Sequence, residues 1–340
     1  MIVRDGAATL ADCLDSVAAI ADEFIVIDTG SCDDTVDIAR RFGARVITAP
    51  WTDDFAAARN RYLDEAHGSW ILSLDADERL PNPDPDAIRA TIRANPRTAL
   101  GVTVRNFFHH DLEWPRFLAP SEFGGRASDE LSWHVSRTIR LFPHVPGLTY
   151  RYPVHESLIP AARQLGLRLR LSDVVIHHRD RSPMEAAGSR ARTARYRALG
   201  QDKVDRHPRY FRGHLEMARV HMGSEDWASA EMHLRRCLQL SPMAMVASYC
   251  LGEVLLATQR WRDLKRLLAR APMTRIDWRY LEGRRLLGSG RPEKAAAMLL
   301  SVLAEKPGYQ LAVDALDCAR NGAHGRGEWA AADPRANAAQ

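Results

Sequence analysis

The stretch Trp70-Ile71-Leu72-Ser73-Leu74-Asp75-Ala76-Asp77-Glu78 decides how this chain reads. Its apolar first half has the length and bulk of a buried strand, and the run then breaks into acids. In open parallel sheets, ligands sit beyond the carboxyl ends of the strands, so Asp75 and Asp77 emerge where chemistry gathers. Two carboxylates on an extended tripeptide suit a hard divalent cation. Mg2+ or Mn2+ takes oxygen ligands, commonly one or two of them carboxylates, and completes its shell with phosphate oxygens and water. Alone the pattern is weak, because a solvated turn after a strand has the same composition.

Upstream, short apolar runs alternate with helical patterns. Ile2-Val3, Phe24 to Ile27 and Val46-Ile47 read as strands, and Leu10 to Ala21, Thr35 to Phe42 and Phe55 to Ala66 read as helices. This alternation predicts β/α units around a parallel sheet. In Val26-Ile27-Asp28-Thr29-Gly30-Ser31-Cys32-Asp33-Asp34-Thr35 a second strand ends in an acid, followed by a Gly turn and an Asp/Thr helix cap. A carboxylate at Asp28 can accept the N–H of a uracil base. Asp53-Asp54-Phe55-Ala56-Ala57-Ala58-Arg59-Asn60 places Arg59 on an amphipathic helix between the two acids, where a guanidinium can pair with phosphate. Asp28-Thr29-Gly30-Ser31 also matches the aspartic-protease signature. That chemistry needs a second copy or a symmetric dimer in an all-β fold, whereas this chain has one copy followed by a helix.

Downstream, residues 81–175 are less regular, with Pro-rich loops, an aromatic and His-rich run from Phe107 to Trp114, and an expected mobile segment at Phe123-Gly124-Gly125-Arg126. The run could stack on a sugar ring or pack a core. Strands are expected over Gly101 to Arg105, Thr138 to Phe142 and Asp173 to His177. Beyond Ser182 the pattern is helical. Trp227 and Trp261 stand thirty-four positions apart in matching contexts, a third copy begins at Gly288, and prolines follow at Pro242, Pro272 and Pro307. This part resembles tetratricopeptide repeats, with the two tryptophans in the solenoid core; a generic helical bundle is the competing reading. The expected organisation is an α/β domain over 1–180, a linker helix over 181–205, tetratricopeptide-like repeats over 206–320 and a disordered tail over 321–340.

Bulk properties bound the function. The 340 residues favour two domains, and 46% hydrophobic residues suffice for ordinary cores. A formal charge of +4 from 47 basic and 43 acidic side chains does not indicate a nucleic-acid binder. Arginines concentrated from Arg179 to Arg219 read as a solvated helix face, or as a basic surface for an anionic acceptor, a membrane or a protein. Five cysteines without a CxxC pair fit reduced thiols and a cytoplasmic location. No apolar run approaches the roughly 20 residues that cross a bilayer, so neither a secretion signal nor a transmembrane segment is expected.

Taken in order, MIVRDG, VIDTGSCDDT, FAAARN and WILSLDADE resemble the nucleotide-binding half of family 2 glycosyltransferases over about the first 80 residues. The resemblance implies a GT-A (Rossmann-like) fold with a mixed sheet. It also implies a nucleotide-sugar donor and a divalent metal, Mn2+ or Mg2+, held by Asp77, with Asp75 contacting ribose or metal-bound water. Members usually carry several strand residues ahead of MIV, so the first strand looks truncated. They also have an Asn-Glu pair where this chain has Asp5-Gly6, which leaves Asp5 as the residue offered to the donor in that loop.

Further on, Arg137-Thr138-Ile139-Arg140-Leu141-Phe142-Pro143, Val154-His155-Glu156 and Val175-Ile176-His177-His178 resemble elements of the branch with WaaE-type lipopolysaccharide-core glucosyltransferases and tetratricopeptide-bearing relatives. That branch implies Glu156 as general base and His178 as a metal ligand. Asp129 and Glu130 are rival bases, and His155 and His177 are rival ligands. Adjacent strand residues face opposite ways, so at most one of His177 and His178 reaches the site. The activity this resemblance implies is inverting transfer of a sugar, UDP-linked, to a saccharide, lipid-linked or protein acceptor in cell-envelope polysaccharide assembly. It would take place in the cytoplasm or at the inner membrane face, with the repeats open to a protein partner. A tetratricopeptide-type scaffold with a degenerate first domain is the alternative.

Overall fold

A computed structural model describes residues 1–109, 117–128, 131–179 and 189–321. The expected tail and the candidate bases Asp129 and Glu130 lie outside the described residues, as does the run from His110 to Trp114. By its internal contacts the chain forms two compact units, and residues 117–128 group with the helical one.

The first unit begins with the predicted alternation. Strands β1 (Ile2–Val3), β2 (Ile25–Asp28) and β3 (Arg45–Thr48) form a parallel sheet in that order, with Val3 opposite Asp28 and Asp28 opposite Thr48. The intervening helices are α1 (Ala7–Asp15) and α2 (Thr35–Arg41), and α3 (Phe55–Glu65) follows β3. Helix α1 is not capped by its own Gly6. The amides of Gly6 and Ala7 donate to Thr35 Oγ1 at 2.8 Å and Asp33 Oδ2 at 3.0 Å, so the loop after β2 satisfies the orphan donors of α1. Helix α3 has a conventional cap, Asp54 Oδ1 accepting from the amide of Ala57 at 2.8 Å.

The remaining strands are β4 (Trp70–Leu72), β5 (Glu78–Arg79), β6 (Thr98–His109), β7 (Phe123–Arg126), β8 (Leu131–Pro143) and β9 (Arg168–His178), with α4 (Pro85–Ala94) and α5 (Ile159–Gln164) between them. A mixed sheet runs β4-β8-β6-β9-β5, parallel only between β6 and β9. The apolar run that ends in Asp75 was expected to extend the parallel sheet. Instead β4 lies antiparallel to β8, with Ile71 opposite Phe142 and Leu72 opposite Leu141. Apolar bulk makes a strand but does not choose its partner, which is set here by burial of Leu141 and Phe142 on the far strand. Phe123–Arg126, expected to be mobile, is a strand with Phe123 buried.

The second unit is helical: α6 (Ser189–Arg206) leads into it, followed by α7 (Phe211–Gly223), α8 (Trp227–Leu240), α9 (Met245–Ala257), α10 (Trp261–Leu268), α11 (Ile276–Gly288), α12 (Pro292–Glu305) and α13 (Gln310–Asn321). Trp227 and Trp261 each open the second helix of a pair. Small residues let the pairs close: a Cβ at Gly252 would fall 2.6 Å from Leu281 Cδ1, and one at Gly288 would fall 2.5 Å from the Trp261 ring. Trp261 is therefore packed between repeats, as its period predicted. No helix among the described residues is long and apolar enough to cross a membrane.

Candidate active site

The acids after β4 are divided between two surroundings. Asp75 faces arginines: its Oδ1 accepts from Arg59 Nη2 at 2.6 Å and its Oδ2 from Arg140 Nη2 at 2.7 Å. Burial works against its charge, but Arg140 and Arg59 outweigh burial and hold the carboxyl far below the usual range. Asp77 lies outside this cluster with its side chain 42% exposed, and its Oδ2 is 3.1 Å from His178 Nε2. The other ring nitrogen of His178 meets Asn106 Oδ1 at 3.1 Å. The Asp77 carbonyl accepts from the amide of Arg179 at 2.9 Å, and Glu78 pairs with His178 across β5 and β9. Strand pairing thus fixes which histidine meets the acid.

His177 points elsewhere. Its ring packs edge-on against Phe107 at 5.1 Å, its Nε2 is buried without a hydrogen-bond partner, and burial followed by Arg105 lowers its pKa. His155 has φ 48° and its ring lies 6.1 Å from that of Tyr196.

Arg59, only 5% exposed, links segments distant in sequence. Besides Asp75 it donates from Nε to Glu156 Oε1 at 2.5 Å and from Nη1 to Ser73 Oγ at 3.4 Å, and it lies over the Tyr150 ring at 5.7 Å. The next residue, Asn60, clamps Tyr150 through its backbone: Nδ2 donates to the carbonyl at 3.1 Å and Oδ1 accepts from the amide at 2.7 Å. One helical turn on, Tyr62 Oη meets Ser73 Oγ and Tyr150 Oη, each at 3.0 Å. Helix α3 therefore pins the loop carrying Glu156, whose neck is closed by reciprocal backbone bonds of 3.0 Å between Arg151 and Ser157.

Arg140 shares Nη2 between Asp75 and Glu78 Oε1, the latter at 2.7 Å, and Glu78 is 4% exposed. Burial raises the Glu78 pKa against the pull of Arg140. Glu78 Oε2 accepts from the amide of Asp75 at 2.9 Å, and Cys13 Sγ donates to the Asp75 carbonyl at 3.4 Å. Burial and then the charge of Glu78 push that thiol up to about 12, which keeps it a neutral donor. Arg140, Glu78, Ser73, Tyr62 and Tyr150 received no role from sequence. Their signal was adjacency: Glu78 follows the two aspartates directly, and Arg140 precedes the buried pair Leu141-Phe142.

Asp28 and Asp5 occupy the neighbouring loops. Asp28, 3% exposed, accepts from the amides of Ser31 at 3.1 Å and Gly30 at 3.3 Å, and so shapes its own turn. Asp5, with φ 52°, accepts from the amide of Cys32 at 2.7 Å and donates its amide to Ser31 Oγ at 2.9 Å. A Cβ at Gly6 would lie 3.3 Å from that of Ala76, so the loops after β1 and β4 are in contact. Among the described residues no group of three or more His, Cys, Asp or Glu side chains is placed to hold a metal. The pair Asp77–His178 could contribute two ligands to a divalent cation whose remaining positions are filled by phosphate and water.

Residues 1–152 match the model of the glycosyl transferase family 2. This stretch, a little under half of the chain, is similar to that family. A TPR repeat-containing protein of Synechococcus elongatus is 38% identical over 156 residues, 46% of this chain and 34% of that protein. An uncharacterized glycosyltransferase of Rickettsia felis is 34% identical over 122 residues, 35% of this chain and 43% of that protein. The chain thus spans less than half the length of these relatives. Among solved structures, glucosyl-3-phosphoglycerate synthase of Mycobacterium tuberculosis, in complex with Mn2+, uridine diphosphate and phosphoglyceric acid, is 20% identical with a TM-score of 0.35, covering 56% of this chain and 73% of that one. The N-terminal domain is GT-A-like, with its mixed sheet, and a helical domain follows it.

Proposed function

We propose that this chain is an inverting glycosyltransferase that moves a sugar from a nucleotide-diphosphate donor, UDP-linked, to a hydroxyl of a saccharide, lipid-linked or protein acceptor. The observation that carries the reading is the Arg59 bridge, which ties Asp75 to Glu156 across 97 positions of sequence. It holds the candidate base in a fixed relation to the acid that follows β4, which supports one shared site for donor and acceptor. Glu156 takes the proton of the acceptor hydroxyl as that oxygen bonds to the anomeric carbon, and the bond from that carbon to the diphosphate breaks on the opposite face. Only one oxygen of Glu156 is engaged by Arg59, so the carboxylate retains acceptor sites for the proton. Arg59 spends three of its five N–H groups on side chains; the remainder can face the leaving diphosphate. A divalent cation, when bound through Asp77 and His178, supplies charge neutralisation for that leaving group. Asp28 and Asp5 are the candidates for the base and ribose side.

Isothermal titration with UDP, with and without Mn2+, tests the donor site. Asp77→Ala should abolish the Mn2+-dependent gain in affinity, and unchanged affinity would remove Asp77 from the metal role. Glu156→Gln should retain donor binding while transfer slows by about 10² or more; near-normal turnover would place the base elsewhere.

A further inference from the structure

Residues 117–128, the described part of the connection between β6 and β8, are held by the helical unit chiefly through main-chain groups. The carbonyl of Leu118 accepts from Tyr309 Oη at 2.5 Å, the amide of Ser121 donates to Asp277 Oδ1 at 2.8 Å, and the carbonyl of Phe123 accepts from Lys306 Nζ at 2.8 Å. Arg219 Nη2 adds a bond to Glu122 Oε1 at 3.0 Å. Apolar contacts reach from one end of the repeats to the other: Phe117 meets Trp227 edge-on at 5.9 Å, and Phe123 lies 5.7 Å from Tyr309. Leu118, Ala119 and Phe123 are buried.

The receiving side chains are themselves fixed. Tyr280 packs edge-on against Tyr309 at 5.2 Å, and the nearby Glu253, 2% exposed, is bound by Tyr249 Oη at 2.8 Å and Arg284 at 2.7 Å. Asp277 is 6% exposed, and a buried carboxylate that meets a backbone amide needs that partner. In a solenoid each repeat touches only its neighbours, so a segment that meets Trp227 and Tyr309 together behaves as a ligand laid along the array.

We propose that this face of the helical unit is a peptide-binding groove that reads main-chain groups, and that its occupant is the chain's own segment 117–128. The helical unit is then a clamp on the connection between two strands of the glycosyltransferase domain. Those strands carry Asn106, the partner of His178, and Arg140, the partner of Asp75.

Amide exchange in the full chain tests the clamp. Asp277→Ala and Lys306→Gln each remove a contact on the helical side, and Phe123→Ser removes the segment's own anchor. In each variant the fragment covering 117–128 should exchange about tenfold faster or more, the effect of losing one charge-assisted hydrogen bond in the first two and a buried aromatic anchor in the third. Helices α8 and α9 should keep the exchange rates of the parent chain. Unchanged exchange of the segment in all three variants would overturn the clamp. So would uniform acceleration from α7 to α13, because these residues would then hold the helices together rather than the segment. The readout involves no donor or metal, so it succeeds or fails separately from the proposed transfer.

Discussion

At the residue scale the site is an arrangement of charges that cannot be buried singly. The guanidiniums of Arg59 and Arg140 face the carboxylates of Asp75, Glu78 and Glu156, and removing one partner leaves others buried and unpaired. Arg140→Met should therefore lower unfolding free energy by about 3–5 kcal/mol, measured by urea denaturation. The loss should depend on pH. Glu78 already titrates above its ordinary 4.5 because burial favours the protonated form, and losing Arg140 raises it further. Between those values the folded state holds a proton that the unfolded state lacks, so stability falls as pH rises. The deficit should be larger at pH 8 than at pH 5, and an equal deficit at both would show that Glu78 does not sense Arg140. The sequence pointed to Asp75, Arg59 and Glu156, but it could not show that Arg59 is shared between the other two. The motif pattern gives residue types along one strand or helix, whereas this sharing depends on the loop pinned by Asn60.

At the element scale, short-range signals were legible and strand partners were not. The helix over Phe55–Glu65 ends within a residue of its expected limit because Asp54 caps it and the apolar spacing continues to Leu63. The strand leading to Asp75 was recognised by bulk, yet its antiparallel pairing with β8 depends on residues about 70 positions away, such as Phe142 opposite Ile71. In the helical unit the thirty-four-residue spacing of Trp227 and Trp261 was readable, and the glycines that let the pairs close gave no periodic sign. Gly252 tests that packing. Alanine in mid-helix ordinarily gains about 1 kcal/mol over glycine, but here its Cβ would meet three atoms of fully buried Leu281 within 3.5 Å. Overpacking costs about 1–3 kcal/mol, so Gly252→Ala should lower the urea midpoint of the helical unit. A raised midpoint would show that Leu281 has room to move aside.

At the scale of the whole molecule, nothing in local composition marks residues 117–128 as companions of the helices, because the hydrogen bond from Tyr309 to Leu118 spans 191 positions. The proposed donor residues, by contrast, lie together in one unit, which makes ligand linkage a whole-chain test of how Asp75 and Asp77 divide their work. A ligand that binds only the folded state stabilises it by about 2.7 kcal/mol at a hundredfold excess over Kd. On the proposed function, UDP with Mn2+ should therefore raise the urea midpoint of the first unit. Asp77 is half-exposed and its carboxylate meets no arginine among the described residues, so Asp77→Ala should leave the unliganded midpoint near that of the parent chain and lose the Mn2+-dependent gain. Asp75 carries two arginine bonds, so Asp75→Asn should lower the unliganded midpoint itself. If instead both variants kept the parent midpoint and lost the same Mn2+-dependent gain, the two aspartates would be equal ligands. The arginine cluster around Asp75 would then be an arrangement that donor binding dissolves.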